Sequence, residues 1–275
     1  MTPEQIKYLT QFIHPDKRYA WLPGKLDDAC LAAMFGIDAA TYASIRAEFK
    51  TNAHRAARAL LDESAFCAQL DRLPFTDGAR VVALGDSLTD DWQSWLEILR
   101  LTFEQRGRDA HFINAGISAE TTTDIFNRFI DVVRLQPDWI LCAAGANDTW
   151  FWTDAPIKLS VSLDETARNL LAMRQYAASH TTARWVWFTP PSMIPEQVTA
   201  HWYQGAFQMM TRNEDLTAIA EIIRAQPDPV VDLQEVFGLP ANPGLLMDDG
   251  LHPNLAGHMA IVRALASQLT DAAKT

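Results

Sequence analysis

The 275-residue chain is short of several things, and each shortage closes off a class of protein. It has three cysteines, Cys30, Cys67 and Cys142, with no CxxC spacing. So sparse and odd a set suits neither a disulfide framework nor a zinc site. Cys30 and Cys67 stand among helical apolar residues and Cys142 in a strand-like run, so all three are expected as buried reduced thiols. Cationic residues are scarce too: 23 Lys and Arg face 34 Asp and Glu, a formal charge of −11. That balance argues against a nucleic-acid partner, which needs a basic face for the phosphates. It also disfavours an anionic membrane surface. No apolar run approaches the roughly 20 residues of a membrane span. The opening MTPEQIKYLTQFIHPDKRYAW lacks a basic stretch followed by an apolar one, so no secretory signal is read and a cytoplasmic location is expected. The sequence also lacks an internal repeat, a Gly/Ser linker, a GxSxG elbow, a GxGxxG loop and a P-loop.

What is present is globular in character: 48% hydrophobic and 21% charged residues, in a chain long enough to bury a large core. Residues 1–75 read as helical. Thr2-Pro3-Glu4-Gln5 is a helix start, with Ile6, Leu9 and Ile13 following at helical spacing. A second helix is expected from Asp38 through Tyr42, Ile45, Phe49, Ala53, Ala56 and Leu60. This segment has nine basic and nine acidic residues, so the whole −11 belongs to the 200 residues that follow.

From residue 79 short apolar strands alternate with helices. Strands are expected at 80–84, 111–113, 139–143, 184–189 and 229–233. The intervening helices carry Trp92, Trp95, Leu96, Leu99 and Phe103 on one face, then Ile125, Phe126, Phe129, Ile130 and Val133 behind a Ser118 cap. Further helices start at Ser162, lie near 212–225, and open at Pro253. Such alternation predicts parallel pairing in a three-layer α/β/α sandwich of about five strands, with the N-terminal helices packed on the sheet.

Ligands in parallel α/β sheets bind beyond the carboxyl ends of the strands. Here those ends hold Gly85-Asp86-Ser87-Leu88, Asn114-Ala115-Gly116 and Gly145-Ala146-Asn147-Asp148, and Asp249-Gly250-Leu251-His252-Pro253-Asn254 precedes the last helix. The pieces fit one mechanism. A serine needs a neighbouring base to become a nucleophile, and His252 titrates near neutrality. Asp249, three residues earlier, is placed to fix its tautomer. The N–H groups of Ser87 and Gly116 and the amide of Asn147 are candidate donors for an oxyanion. Asp86 and Asp148 read as organisers of their turns.

Four blocks, GDSL at 85–88, NAGIS at 114–118, GAND at 145–148 and DGLHPN at 249–254, resemble in type and order the signatures of the SGNH/GDSL hydrolases. The resemblance spans about residues 79–270. It implies a flavodoxin-like fold and a metal-independent, cofactor-free esterase or lipase mechanism. Ser87 would be the nucleophile, with Asp249 and His252 completing the triad and Ser87, Gly116 and Asn147 forming the oxyanion hole. Where some members carry a second glycine in the NAGIS block, this chain has Ala119. The resemblance divides the chain into a helical extension, 1–75, and a hydrolase domain, 76–275.

The expected activity is hydrolysis of carboxylic esters through an acyl-enzyme. The expected substrates are small, with short acyl or acetyl groups, acetylated carbohydrates among them. Two alternatives use the same cleft: acyl transfer to an alcohol or sugar, and a catalytically silent binding module. Trp150, Phe151 and Trp152 follow GAND without helical or strand phase. They read either as a substrate-pocket wall or as a plug beneath the N-terminal helices, and Thr189–Met193 as a second wall. His258 and the histidines at 14, 54, 111, 180 and 201 lack metal-ligand spacing, and no metal is expected. Residues 1–75 are open to three roles: capping the cleft, forming a homo-oligomer contact, or covering the sheet.

Overall fold

The structure, a computed structural model, describes residues 1–19 and 26–271. Residues 20–25 of the extension and 272–275 of the hydrolase segment lie outside the described residues. Strands β1 (Arg80–Gly85), β2 (His111–Gly116), β3 (Trp139–Ala143), β5 (Arg184–Phe188) and β7 (Val230–Val231) form one sheet in the order β2-β1-β3-β5-β7. All its pairs are parallel. Two further strands, β4 (Phe151–Trp152) and β6 (Met209–Met210), pair antiparallel as a separate ribbon.

The pleat sends successive residues to opposite faces, and the core is built on that alternation. Val81, Ala83, Leu141, Val186 and Phe188 face one layer, packed by helices Trp95–Gln105 and Leu255–Asp271. Val82, Leu84, Ile140, Cys142, Trp185 and Trp187 face the other, packed by helices Thr122–Arg134, Leu163–His180 and Asn213–Arg224. Both faces are covered, which is why the strands read as continuous apolar runs. The expected three-layer α/β/α sandwich with five parallel strands is therefore the observed fold.

The N-terminal helices join this core. Ala53, Ala56, Ala57 and Leu60 of helix Ala39–Leu61 and Phe66 and Leu70 of helix Ser64–Leu70 are buried in the same cluster as Val81 and Trp95. Helix Pro3–Phe12 starts with the expected capping box between Thr2 and Gln5. With helix Asp28–Met34 it encloses a smaller cluster around Leu31, Phe35 and Tyr42. Trp92 adds a tie: its Nε1 donates to the carbonyl of Thr10 at 3.0 Å and Arg46 stacks on its ring at 4.4 Å.

Several local expectations are corrected. Helix Trp95–Gln105 starts at a Ser94 cap rather than at Trp92, because Asp91 Oδ1 accepts from Gln93 N–H and holds 91–93 in a turn. Ser118 caps nothing: both its N–H and its hydroxyl donate to Asp90 Oδ2, and Thr121 caps the helix instead through a box with Asp124. The last helix begins at Leu255, with Asn254 Oδ1 accepting from Gly257 N–H. Capping interactions of this kind each contribute about 1 kcal/mol. Cys142 is buried, as expected, but Cys67 is half-buried and Cys30 is exposed. The helix carrying Cys30 buries Leu31 and Ala32 and turns the thiol outward. Among the described residues no helix is long and apolar enough to cross a membrane.

Candidate active site

The site is assembled at the carboxyl ends of β1, β2 and β3. After β1 the chain turns into the short helix Ser87–Asp90, with Asp86 Oδ1 accepting from Leu88 N–H at 3.1 Å. Ser87 is thereby the first helical residue. Its hydroxyl donates to His252 Nε2 at 2.9 Å. On the other side of the ring, Nδ1–H donates to Asp249 Oδ2 at 2.6 Å. A carboxylate can only accept here, so this bond fixes the proton on Nδ1 and leaves Nε2 free to take one. Asp249 Oδ1 accepts two backbone N–H groups, from Leu251 and His252, each at 2.9 Å. The three-residue spacing of Asp249 and His252 thus makes a closed turn. Gly250 allows it: its φ is +65°, and a Cβ there would meet Gln197 Cβ at 2.6 Å and the Ile194 carbonyl at 2.8 Å.

All three groups are buried: Ser87, Asp249 and His252 are 8%, 1% and 7% exposed. Burial alone would lower the basicity of His252, but the Asp249 carboxylate, supported by Asp91 and Asp86, outweighs it and holds the ring above the ordinary histidine value. Burial would likewise raise Asp249, and the charge and hydrogen bond of His252 hold it below the usual carboxylate range. Burial lifts Asp86 to about 7, against the pull of Leu88 N–H and His252. The pH consequence has a definite sign. His252 must be neutral to accept a proton, so activity is lost as pH falls through its raised pKa. The acid limb of kcat/KM should therefore have its midpoint above the ordinary value of ~6.5. A rate that stays flat from pH 8 down to 5 would exclude His252 as the base.

The oxyanion candidates separate. Ser87 N–H sits at a helix start with no acceptor among the described residues. Asn147, in the 3₁₀ turn Ala146–Thr149 after β3, is held at both ends of its amide. Its Oδ1 accepts from Trp150 Nε1 at 2.9 Å and one hydrogen of Nδ2 goes to the Glu120 carbonyl at 3.0 Å. The second Nδ2 hydrogen is left for the cleft. Gly116 does not join them. Its N–H is donated to Asn114 Oδ1 at 3.0 Å. Its missing side chain serves packing instead, since a Cβ would lie 2.8 Å from both Asp90 N and Thr89 Cβ. Ala119, directly after this block, lines the cleft along with Ile117 and Ser118. It has φ +65°, unusual for an alanine, and its N–H has no acceptor among the described residues. The signal for it was the glycine that some similar sequences carry at this place.

Above these groups lies a cleft of about 570 Å³. Trp150 lines it, together with Leu9, Phe12, Ile117, Tyr203 and Phe207. The other two aromatics of the expected wall do not. Phe151 and Trp152 form β4 of the outer ribbon, where Trp152 is 63% exposed and Arg212 covers Phe151 at 5.4 Å. Nor does the 189–193 stretch form a second wall. Thr189 Oγ1 is tied to Asp232, the Ser192 hydroxyl donates to the Gly238 carbonyl, and Met193 is buried against Val198 and Leu216. Asp148 is structural as expected, accepting from Thr122 and Thr166. His258 is a buried, satisfied histidine between Trp95 N–H and Asp91. Among the described residues no group of three or more His, Cys, Asp or Glu could hold a metal ion.

Sequence reasoning missed the contribution of helix Pro3–Phe12. The Tyr8 hydroxyl donates to Asp249 Oδ2 at 2.9 Å, and the Phe12 ring stacks on His252 with centroids 4.2 Å apart. No spacing in the sequence points to a pair 241 residues apart.

A serine, a histidine and a buried aspartate in hydrogen-bonded series are the arrangement by which serine hydrolases activate their nucleophile, and it recurs on unrelated folds. Residues 83–260 match the GDSL-like Lipase/Acylhydrolase family, and the chain belongs to it. It is 26% identical over 220 residues to an acetylxylan esterase of Geobacillus stearothermophilus, a match covering 70% of this chain and 94% of that relative. Among solved structures, the fold is similar to that of Axe2, an acetylxylan esterase from the same organism, with a TM-score of 0.56 and 22% identity over 71% of this chain and 95% of that one. It is equally similar to LAE5, an alpha/beta hydrolase enzyme from the metagenome of Lake Arreo, Spain, with a TM-score of 0.56 and 23% identity over 71% and 96%.

Proposed function

We propose that the protein is a serine esterase that hydrolyses carboxylic esters through an acyl-enzyme on Ser87. The observation that carries this reading is the series Ser87 Oγ, His252 Nε2, His252 Nδ1, Asp249 Oδ2, with links of 2.9 and 2.6 Å at the floor of the cleft. Ser87 Oγ attacks the ester carbonyl while its proton passes to His252 Nε2. Negative charge then collects on the former carbonyl oxygen, within reach of Ser87 N–H, Ala119 N–H and the free Nδ2 hydrogen of Asn147. Ala119 takes the place that the sequence assigned to Gly116, because Ala119, unlike Gly116, lines the cleft with an N–H that has no acceptor among the described residues. Collapse of the intermediate breaks the ester C–O bond, and His252 returns the proton to the departing alkoxide. Water, deprotonated by the same nitrogen, attacks the acyl-enzyme and releases the acid.

The substrate reading rests on short acyl groups, acetyl included, on a neutral alcohol. The acetylxylan esterase relative supports it. The net charge of −11 supports neutral over anionic esters, since like charge is repelled from the cleft. The volume of the cleft and its apolar walls favour a second reading, in which acyl chains of several carbons are also accepted. A p-nitrophenyl ester series from acetate to palmitate decides between them. Turnover greatest at two to four carbons fits the first reading and a maximum at about eight fits the second. Absence of turnover along the whole series would overturn the esterase proposal itself.

A further inference from the structure

The helix Pro3–Phe12 lies outside residues 83–260, the segment that matches the family, yet it reaches the centre of the site. Tyr8 is its contact residue. The tyrosine hydroxyl has one proton, and its surroundings fix where that proton goes. Gln204 Nε2 donates to the Tyr8 oxygen at 2.8 Å, while Asp249 Oδ2 lies 2.9 Å away and can only accept. The Tyr8 proton therefore points at Asp249. The same Oδ2 receives Nδ1–H of His252, so the tyrosine and the histidine share one carboxylate oxygen. Burial, with the nearby Asp249 charge, pushes the Tyr8 hydroxyl far above its ordinary value, so it stays a donor throughout the working range.

We propose that Tyr8 is a positioning residue of the triad: it holds the Asp249 carboxylate in its aim at His252 and lowers the pH at which His252 becomes the free base. This rests on the triad reading given above. The physics is direct. A hydrogen bond to a carboxylate stabilises its charge and weakens its pull on a neighbouring proton. With the Tyr8 bond in place, Asp249 stabilises the imidazolium less than it otherwise would. The correction matters because the other charged groups near His252 act the opposite way. Asp249 from its own loop, and Asp86 and Asp91 from the turns after β1, all favour the protonated ring. The remaining titratable neighbours of Tyr8 are Tyr203 and His201, whose rings lie 5.9 and 4.9 Å from it. His201 Nδ1–H donates to Gln204 Oε1, and burial raises the Tyr203 hydroxyl. Phe12, one helical turn further on, stacks over the imidazole face and excludes water from it. The N-terminal segment thus supplies one side of the catalytic site.

The test is the pH dependence of kcat/KM for Tyr8→Phe beside wild type and Ser87→Ala, all as full-length protein. Phenylalanine keeps the ring contacts with Phe12 and Trp202 and removes only the donor. The acid limb is expected to move to higher pH by roughly 0.5–1 unit. Gln204→Met, which removes the group that directs the Tyr8 proton, should move it the same way by less. A merely structural role would lower the rate without moving the limb. Acid limbs that superimpose on wild type in both variants, or that move to lower pH, overturn the assignment. If Ser87→Ala retains the wild-type rate, the triad reading itself fails. If that variant is inactive and the limbs coincide, only the role of Tyr8 fails.

Discussion

Replacing Ser87 with alanine is expected to lower kcat on the order of 10⁶-fold, the scale seen when a triad nucleophile is removed. The substitution deletes one oxygen at a buried helix start and leaves the Asp86 cap, which is made to Leu88 N–H, untouched. The fold should therefore survive, with a melting temperature close to that of wild type. This combination separates chemistry from stability. A comparable loss of rate together with a collapsed melting temperature would show only that the site had unfolded. A rate within tenfold of wild type in a folded variant would remove Ser87 from the mechanism.

Asp249→Asn is expected to lower kcat by about 10⁴-fold, the cost of presenting the wrong histidine tautomer to the nucleophile. Asp249 accepts four hydrogen bonds, from His252 Nδ1–H, Tyr8 O–H and two backbone N–H groups. An amide keeps its size but offers only one accepting oxygen. If that oxygen stays on the backbone N–H groups, the NH₂ faces His252 Nδ1 and the ring must put its proton on Nε2, where it cannot act as a base. The loss should fall on kcat, with KM within a few-fold of wild type, because the cleft walls are unchanged. A variant that kept most of its rate would mean that the carboxylate does not orient the base.

The two substitutions concern residues that could be read from the sequence, and the reason is local. Ser87, Asn147, Asp249 and His252 each sit in a short block at the end of a strand or before the last helix, where tight turns restrict the residue types. The sheet was legible for a similar reason: Val81 to Leu84, Ile140 to Cys142 and Trp185 to Phe188 are buried on both faces, so they form uninterrupted apolar runs. What the sequence hid depends on contacts between distant segments. The sequence points to Gly116 as a donor, and nothing in it shows that the Asn114 side chain occupies the Gly116 N–H. Phe151 and Trp152 follow the GAND block directly, yet pairing with Met209 and Met210 draws them out of the cleft.

The N-terminal segment was the least legible part. Its helices follow from their caps and apolar stripes, since Thr2 and Asp38 both cap as their positions suggest. Its role does not follow, because it depends on where those helices dock. Tyr8 and Phe12 reach His252, Gln11 donates to Asp91, and His14 and Lys17 both bind Asp90, the carboxylate that also holds Ser118. One N-terminal stretch therefore touches His252, Asp249 and Asp90, the carboxylate that holds the loop before Ala119. Of the roles open from the sequence, the structure bears on the cleft, which Tyr8, Leu9 and Phe12 line; helices Ala39–Leu61 and Ser64–Leu70 pack against the helices Trp95–Gln105 and Leu255–Asp271 that flank the sheet.

In the proposed mechanism Ser87 Oγ is the atom that carries the acyl group. This is tested most directly by treating the protein with a fluorophosphonate and mapping the adduct by peptide mass spectrometry. The reagent should add one phosphonyl group per chain, on Ser87, with activity lost in step with labelling and no adduct formed on Ser87→Ala. Full inactivation with Ser87 unmodified, or full labelling of Ser87 with activity intact, would contradict it.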